Sequence, residues 1–255
     1  MLSSHRRNEI LRLIDAHGSV LSMGLAEKFG VSHETIRKDL EKLAEAGRIQ
    51  RVHGGATGLD SRGRELPLPA RQSTNRYAKA AIAKQAASLI QANDTVFLDA
   101  SSTVLAMTEF LPALPITVLT NAHHVVVALG KQPHYNLICT GGTYEEISRS
   151  YVGPIAEDSL RRYMIRWLFV GVDGLDVKVG ASEVNPGQAV LKERLIQRAE
   201  HVCVVTDSSK LGRKSPFIYA AVNELDYLIT DSHAEPDLIK RFEDEGIRVI
   251  LTDLR

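Results

Sequence analysis

Short apolar runs of strand length, alternating with helical patterns, constrain the fold of this chain more than any other feature. The runs all follow Tyr77 and read TVFLDA, ITVLTN, NLICTGG, WLFVGVDG, HVCVVTD, DYLITD and RVILTD. Helical spacing of apolar residues lies between most of them, at 78–91, 103–111, 188–200 and 236–245. Near-continuous apolar strands joined by helices are typical of a parallel sheet covered on both faces. We therefore predict a mostly parallel α/β domain over residues 77–255.

The amino-terminal residues 1–57 follow a different pattern, which predicts three short amphipathic helices. Their apolar residues are Ile10, Leu11, Leu13 and Ile14, then Leu25, Ala26 and Phe29, then Ile36, Leu40 and Leu43. Gly18 is expected to end the first helix and Ser22 to cap the second. Gly30 suits the left-handed residue after a helix, and Ser32 suits the cap of the third helix.

A short strand and a tight turn are predicted after the third helix. The segment RIQRVHGGATG places Ile49 and Val52 among basic and polar residues before Gly54 and Gly55. Residues 58–76 are polar, contain two prolines and show no sustained periodicity. We expect this stretch to be a linker between the domain at 1–57 and the domain at 77–255.

The third helix has the charge distribution of a DNA recognition helix. One side carries Ile36, Leu40, Leu43 and Gly47. The other side is basic near its start, at Arg37 and Lys38, and acidic further on, at Glu41 and Glu45. A recognition helix inserts its first turns into the major groove while its far end points to solvent. The whole chain has zero formal charge, but residues 1–76 hold 13 Lys/Arg against 9 Asp/Glu.

We predict DNA contacts around the start of this helix and on the strand and turn that follow. The candidates are Ser32, His33, Glu34, Thr35, Arg37, Lys38, Arg51 and His53. Ser32 and Thr35 suit a phosphate at the helix start, Arg37 suits guanine or phosphate, and Lys38 suits phosphate. Arg51 and His53 would form a wing. A three-helix bundle with a solvated charged face is the alternative, and periodicity does not separate the two.

The amino-terminal string resembles a known family. SHETIRKDLEKLAEAGRIQRVHGGA, preceded by RRNEILRLIDAHGSV and LAEKFGVS, closely resembles the winged helix-turn-helix of the DeoR family of sugar-operon regulators. The match runs without a gap over about residues 6–56, and the pieces TIRKDL and HGGA are specific to it. The resemblance implies that double-stranded operator DNA is a partner.

Polar residues follow several of the predicted strands. Asp99, Ser101, Ser102 and Thr103 stand where the first strand turns into a helix. Hydroxyls and free N–H groups at such a turn suit an anion, although capping of the helix alone also explains them and is the commoner situation. Similar residues follow other strands, at 120–121, 140–142, 173–174 and 207–210. Together they favour one crevice for a phosphorylated small molecule, with Lys210 as counter-charge.

This second segment also resembles the effector domain of the DeoR family, which is similar to ribose-5-phosphate isomerase. The resemblance covers roughly residues 77–253. It implies that Asp99, Ser101, Ser102, Thr103 and Lys210 hold a sugar phosphate. It further implies that Asn121, Gly142, Asp173 and Asp176 line the rest of the site.

A departure from the family bears on catalysis. VDGLD is similar to an isomerase motif in which both aspartates take part in the reaction. Family members often carry Glu-Ala where this chain has Gln188-Ala189, followed by Lys192. Proton abstraction beside a carbonyl needs a titratable base, and an amide is not one. Glu183 is the alternative base, but we predict no catalytic residues and no enzyme activity.

Other site chemistry is not expected. His123 and His124 are adjacent, and no spaced carboxylate or cysteine completes a metal site around them. Neither GxSxG, GxGxxG nor a P-loop occurs, so no cofactor is predicted. Cys139 and Cys203 lie in apolar runs and are expected to be buried thiols. Without a secretory h-region or an apolar span of membrane length, the expected compartment is the cytoplasm.

Taken together, the sequence predicts a DNA-binding repressor of a sugar or sugar-alcohol operon, released by a phosphorylated sugar or sugar alcohol. A homo-oligomer, dimer or tetramer, is expected, because one winged module makes too few contacts for strong site preference. The first alternative is a sugar-phosphate isomerase with an accessory DNA-binding head. The second is a non-specific nucleic-acid-binding protein, against which the zero net charge counts.

Overall fold

The computed structural model describes residues 3–17, 19–46, 48–52, 54–58 and 65–253. The chain divides into two compact units, Met1–Asn75 and Arg76–Arg255. Three residues singled out in the sequence, Gly18, Gly47 and His53, lie outside the described residues.

The first unit contains the predicted helices and a small antiparallel sheet. Its elements are helices α1 (Ser3–His17), α2 (Ser22–Phe29) and α3 (His33–Glu45), and strands β1 (Ser19–Leu21), β2 (Ile49–Val52) and β3 (Gly55–Gly58). The strands pair in the order β1-β3-β2. Ile10 and Ile14 of α1 pack with Leu25, Ile36 and Leu40 in one core. The expected strand and turn after α3 are confirmed, whereas β1 was not predicted.

The helix ends confirm two of the predicted signals and correct one. Gly30 adopts the left-handed conformation with φ 60°, and the Ser32 side chain accepts a hydrogen bond from the Thr35 N–H. The prediction that Ser22 caps α2 was wrong, because Leu21 holds that position and Ser22 is already helical. The Ser22 N–H donates to the carbonyl of Gly54, the residue before β3. The pairing of β1 with β3 therefore continues into the first residue of α2, with no residue between strand and helix.

The segment expected to be a linker contains a helix. Helix α4 (Leu68–Ser73) follows Pro67, which takes the N-cap position, and Leu68 is buried. Arg71 pairs with Glu65 at 3.2 Å, and α4 packs against β1. This half of the segment is therefore part of the first unit.

The seven apolar runs form the strands of one sheet in the described part of the second unit. They are β4 (Thr95–Leu98), β5 (Ile116–Thr120), β6 (Tyr135–Cys139), β9 (Ile165–Val170), β12 (Ala199–Val205), β14 (Tyr227–Asp231) and β15 (Arg248–Thr252). Their order is β15-β14-β12-β9-β4-β5-β6, and every neighbouring pair is parallel. The predicted mostly parallel α/β fold is confirmed.

Helices cover both faces of this sheet. The helices are α5 (Arg76–Ala87), α6 (Ser102–Met107), α7 (His123–Leu129), α8 (Pro154–Ser159), α9 (Pro186–Ile196) and α10 (Pro236–Asp244). Val96 and Leu98 face one core with Ile82 of α5, while Phe97 faces the other core with Leu195 of α9. The helical pattern at 188–200 extends too far, because α9 ends at Ile196 and β12 begins at Ala199.

Short antiparallel pairs lie beside the main sheet. Strands β7 (Thr143–Glu145) and β8 (Ser150–Val152) form a hairpin. Strands β10 (Gly174–Asp176), β11 (Gly180–Glu183) and β13 (Phe217–Ala220) form a small sheet. These strands are three or four residues long and were not predicted.

The two cysteines differ in exposure. Cys203 is buried in β12, and burial raises the pKa of its thiol. The prediction that Cys139 is buried was wrong. Cys139 ends β6, an edge strand of the sheet, which pairs with β5 alone among the strands of the described ranges.

Candidate functional site

The start of α3 carries an exposed set of hydroxyl and charged side chains. Ser32 Oγ lies 2.9 Å from Thr35 Oγ1 and accepts from the Thr35 N–H at 3.2 Å. Ile36, Leu40 and Leu43 are buried, which directs His33, Arg37 and Lys38 outward. The sequence therefore places an exposed polar surface on the first two turns of this helix.

Arg37 is held by two glutamates of its own helix. Its Nε and Nη2 donate to the two carboxylate oxygens of Glu34, each at 2.8 Å, and its Nη1 donates to Glu41 at 2.7 Å. Hydrogen bonding to Arg37 lowers the pKa of Glu34, and the same contacts raise the pKa of Arg37. Its guanidinium is thus oriented before any partner binds, although exposed ion pairs of this kind are weak and exchangeable.

Arg51 and Lys38 occupy different surroundings. Arg51, on β2, is exposed and its Nη1 donates to the Arg37 carbonyl at 3.3 Å, so this strand touches α3. Among the described residues no carboxylate lies within 4 Å of the Lys38 ammonium. Lys38 is therefore better placed than Arg37 to meet a phosphate without first breaking an ion pair.

A buried ion pair that the sequence analysis missed joins α3 to α1. Asp39 is buried and its Oδ2 accepts from Arg6 Nε at 2.5 Å, with Arg7 at 3.4 Å from Oδ1. Arg6 and Asp39 are 33 residues apart, so periodicity gave no signal for the contact. The pair ties α1 to the helix that presents Arg37 and Lys38.

The predicted small-molecule residues come together at the carboxyl edge of the main sheet. The strands β12, β9, β4 and β5 are neighbours in that order. Lys210 follows β12, Asp173 follows β9, Ser101 follows β4, and Asn121 follows β5. Adjacent strands lie about 4.8 Å apart, so the row spans about 15 Å. Crevices of open α/β sheets form at this edge.

Asp99 lies beneath the loop that follows β4. Its Oδ1 accepts from the Ser101 N–H and its Oδ2 from the Gly171 N–H, both at 2.9 Å. Burial raises the pKa of Asp99, but the adjacent Lys192 ammonium and these hydrogen bonds hold it below the ordinary value. Asp99 therefore shapes the loop from below, with only 1% of its surface exposed.

The Ser101 loop approaches β9 so closely that Gly171 is required. A Cβ at residue 171 would lie 2.4 Å from Ser101 Cβ and 2.6 Å from Ser101 Oγ. Ser101 Oγ also accepts from the Val104 N–H, so the capping interpretation of this serine holds for the structure as described. Ser102 and Thr103 are largely buried in the first turn of α6.

A buried cluster of charge lies under the same crevice. Lys192 Nζ contacts Asp99 Oδ2 at 2.9 Å, donates to the Gly171 carbonyl at 2.8 Å, and forms a close ion pair with Glu183. Burial lowers the pKa of Lys192, but Asp99 and Glu183 together raise it well above the ordinary value. Burial and the nearby Asp173 raise the pKa of Glu183 well above its ordinary value, although the Lys192 ammonium acts to lower it.

Lys210 and the two aspartates of VDGLD lie at the rim of this cluster. Lys210 Nζ is 3.4 Å from Asp173 Oδ1, and the Val184 N–H donates to Asp173 Oδ2. Asp176 accepts from the backbone N–H groups of Lys178 and Val179 in the turn between β10 and β11. Asp173 thus belongs to the crevice, whereas Asp176 organises a turn beside it.

Asn121 presents an acceptor with no partner. Its Nδ2 donates to the Tyr151 carbonyl and to Gln188 Oε1, each at 3.1 Å. A carbonyl oxygen only accepts, so Tyr151 fixes which way this amide points. Asn121 Oδ1 is buried and has no hydrogen-bond partner among the described residues. A buried acceptor in that state suits a hydroxyl or other donor of a ligand.

Gly142 packs against the start of α8. Its φ is 113°, and a Cβ there would lie 2.7 Å from the Val152 carbonyl oxygen. The residue lets the chain after β6 pass close to the end of the hairpin at Val152.

Two further searches concern the described residues alone. In residues 3–17, 19–46, 48–52, 54–58 and 65–253, no group of three His, Cys, Asp or Glu is arranged to hold a metal ion. Across the same ranges, no helix combines the length and apolar character that spanning a membrane requires.

Comparison with family models gives matches in both units. The DeoR-like helix-turn-helix domain matches residues 6–62, and the DeoR C terminal sensor domain matches residues 74–232.

Full-length relatives agree with these matches. An uncharacterised HTH-type transcriptional regulator, YulB of Bacillus subtilis, is 36% identical over 100% of this chain and 98% of its own length. A putative aga operon transcriptional repressor of Escherichia coli is 34% identical over 98% of this chain and 94% of its own length.

Among solved structures, ribose 5-phosphate isomerase A of Methanocaldococcus jannaschii aligns with 54% of this chain and 55% of its own length, at a TM-score of 0.39 and 15% identity.

Proposed function

Because the chain belongs to the DeoR family of helix-turn-helix transcriptional regulators, we propose that it represses a sugar or sugar-alcohol operon and releases it when a phosphorylated sugar or sugar alcohol binds. The single observation that carries the proposal is a row of polar groups on the second unit of a chain whose first unit is a winged helix-turn-helix. The row ends in Asn121 Oδ1, which has no hydrogen-bond partner in the part of the chain that the structure describes. A full-length relative is described as a putative operon repressor, which supports repression of transcription for this chain.

The DNA contacts would come from α3 and the strand that follows it. Ser32, His33, Glu34 and Thr35 stand at the helix start, where backbone N–H groups and hydroxyls meet a phosphate. Arg37 and Lys38 would reach the major groove and its rim, and Arg51 and His53 the adjacent backbone. To face a guanine, Arg37 would exchange its contacts with Glu34 and Glu41, which exposed ion pairs of this kind allow.

The effector would lie along the carboxyl edge of the sheet. Ser102, Thr103 and Lys210 supply donors for a phosphate, with Ser101 and Asp99 holding their loop. Asn121 Oδ1 would accept from a hydroxyl at the other end of the ligand. Gly142, Asp173 and Asp176 would shape the walls.

Binding of the two partners must be coupled for this function. A ligand shifts operator affinity only if it binds the DNA-competent and incompetent states differently, and a coupling of about 1–3 kcal/mol suffices. We further propose a homo-oligomer, dimer or tetramer, on paired half-sites. Such a protein would act in the cytoplasm, with operator DNA and no membrane as its partner.

Family membership favours a regulator over an isomerase with a DNA-binding head. Gln188 supports this choice, because its amide is bonded to Asn121 and Ser150 and cannot abstract a proton. We assign no cofactor to the chain.

Two titrations test the proposal. Binding of the full chain to DNA from upstream of its own gene and of the adjacent genes should exceed binding to a shuffled duplex by at least about 1000-fold. Equal binding would select the non-specific alternative. A thermal-shift screen with phosphorylated sugars and alditols should find a stabilising ligand, worth about 2.7 kcal/mol at 100 times its dissociation constant.

A further inference from the structure

We propose that the outward face of the β7–β8 hairpin is a self-association surface, on which a second copy of this chain docks about a two-fold axis. The surface, called the hairpin patch below, consists of His123, Val127, Tyr144, Ile147 and Tyr151. The inference rests on the proposed function only for the expectation of an oligomer. The surface itself is argued from geometry and charge.

The hairpin patch is apolar and aromatic, and its residues are exposed except for Tyr151, which is half-buried. Tyr144 and Tyr151 are register partners with ring centroids 5.5 Å apart, and the His123 ring lies 6.1 Å from Tyr144. Val127 follows His123 by one turn of α7 and is 65% exposed, and Ile147 in the hairpin turn is 51% exposed. Tyrosines are enriched at protein interfaces, and clustered exposed apolar side chains commonly mark one.

The opposite face of the hairpin is held rigidly. Ser148 and Ser150 are buried with their hydroxyls 2.7 Å apart, and Gln188 Nε2 donates to Ser150 Oγ at 2.5 Å. Asn185 Nδ2 donates to Glu145 Oε2, also at 2.5 Å. An isolated two-stranded hairpin is marginally stable in water, so these bonds from α9 and its cap fix the shape that the patch presents.

Charge next to the patch identifies the occupant as another copy. Glu146 directly precedes Ile147 in the hairpin turn and Arg149 follows it by two residues, and both are exposed. Neither forms an ion pair within 4 Å among the residues that the structure describes. In a two-fold contact, residue i of one copy meets residue j of the other and the reverse. Two copies placed patch to patch would therefore pair each Glu146 with the Arg149 of the other.

Charge swapping tests the surface directly. Sedimentation equilibrium of the full chain, without DNA or effector, should show an oligomer for the wild type. Glu146→Arg alone and Arg149→Glu alone should each weaken the association at this surface by about tenfold or more, since each creates like-charge contacts. An equimolar mixture of the two variants should restore it, because every contact in the mixed pair joins opposite charges.

The mixture separates a charge effect from a folding defect. A variant that misfolds alone would also misfold in the mixture, so restored association shows that charge caused the loss. A matched pair adds a second measurement. Ile147→Asp should dissociate the assembly, whereas Met164→Asp, at a residue 77% exposed outside the patch, should not.

A monomeric wild type, or a mixture that associates as weakly as the single variants, would overturn the proposal. Sedimentation equilibrium measures self-association without operator DNA or effector, so its result does not depend on the proposed function. Loss of operator binding with self-association intact would count against the proposed function alone.

Discussion

Lys192 Nζ lies 2.9 Å from Asp99 Oδ2, and both side chains are almost fully buried beneath the carboxyl edge of the sheet. The pair joins α9 to the loop that carries Ser101, because Asp99 also accepts from the Ser101 and Gly171 N–H groups. Breaking it would leave a buried carboxylate with no counter-charge.

Replacing Lys192 should therefore destabilise the second unit. Lys192→Met removes one member of a buried pair and is expected to cost about 3–5 kcal/mol in the free energy of unfolding. The exposed control Lys240→Met should change it by less than about 0.5 kcal/mol. Urea unfolding at pH 7 measures both. Adding Asp99→Asn to Lys192→Met should recover part of the loss, and no recovery would show that the charge is not the cause.

The same variant should reverse the pH dependence contributed by Asp99. In the wild type the pKa of Asp99 is lowered, so its contribution is present above the unfolded value of about 3.9 and disappears as pH falls through the folded value. Without Lys192, burial dominates and raises that pKa, so stability is lost as pH rises above about 4. The stability gap between variant and wild type should thus be smaller at pH 5 than at pH 7. An equal gap at both would contradict this.

Gly171→Ala should disturb the effector crevice with little effect elsewhere. The new Cβ would lie 2.4 Å from Ser101 Cβ, so the loop after β4 must move. Overpacking of this kind typically costs about 1–3 kcal/mol. We expect loss of the thermal shift by phosphorylated effectors. Gly24→Ala in α2, where a Cβ meets nothing within 4 Å, is the control and should retain the shift.

Lys210 should contribute charge to effector binding. Lys210→Met removes an ammonium 3.4 Å from Asp173 at the crevice and should weaken binding of a phosphorylated ligand by about tenfold or more. Lys214→Met, at a more exposed lysine 3.8 Å from Asp176, should bind nearly as the wild type does. Isothermal titration with the ligand found by thermal shift compares the two, and equal losses would remove Lys210 from the site.

Arg37 and Lys38 should govern the salt dependence of operator binding. Each lysine–phosphate contact contributes about −0.9 to the slope of log K against log salt, so Lys38→Ala should flatten the slope by about one unit. Arg37→Ala should also weaken binding. Lys42→Ala, exposed in the last turn of α3, serves as the control. An unchanged slope for Lys38→Ala in a mobility-shift titration would refute its phosphate contact.

Much of the fold could be predicted because buried strands appear in the sequence as apolar runs. The part of a parallel strand that is covered on both faces must be apolar, as β12 is from Val202 to Val205, so the seven runs were visible. Cys139 shows the limit of that reasoning. Its run is as apolar as the others, and its exposure depends on β6 being an edge strand, which no local pattern records.

The candidate site divides in the same way. Residues that follow strands, such as Asn121 and Asp173, could be named because the carboxyl edge collects them. The role of Lys192 could not, since its contact with Asp99 joins residues 93 positions apart and arises only on packing. The Glu34 and Glu41 contacts of Arg37 are local and could have been found from helical spacing of three and four residues.

Operator binding with and without effector tests the central claim most directly. Fluorescence anisotropy of labelled operator, titrated with the full chain, gives its dissociation constant alone and with each phosphorylated sugar or alditol. We expect one of them to weaken operator binding by 5- to 150-fold, the range of a coupling of about 1–3 kcal/mol. An operator dissociation constant that stays the same with every such compound would contradict the account.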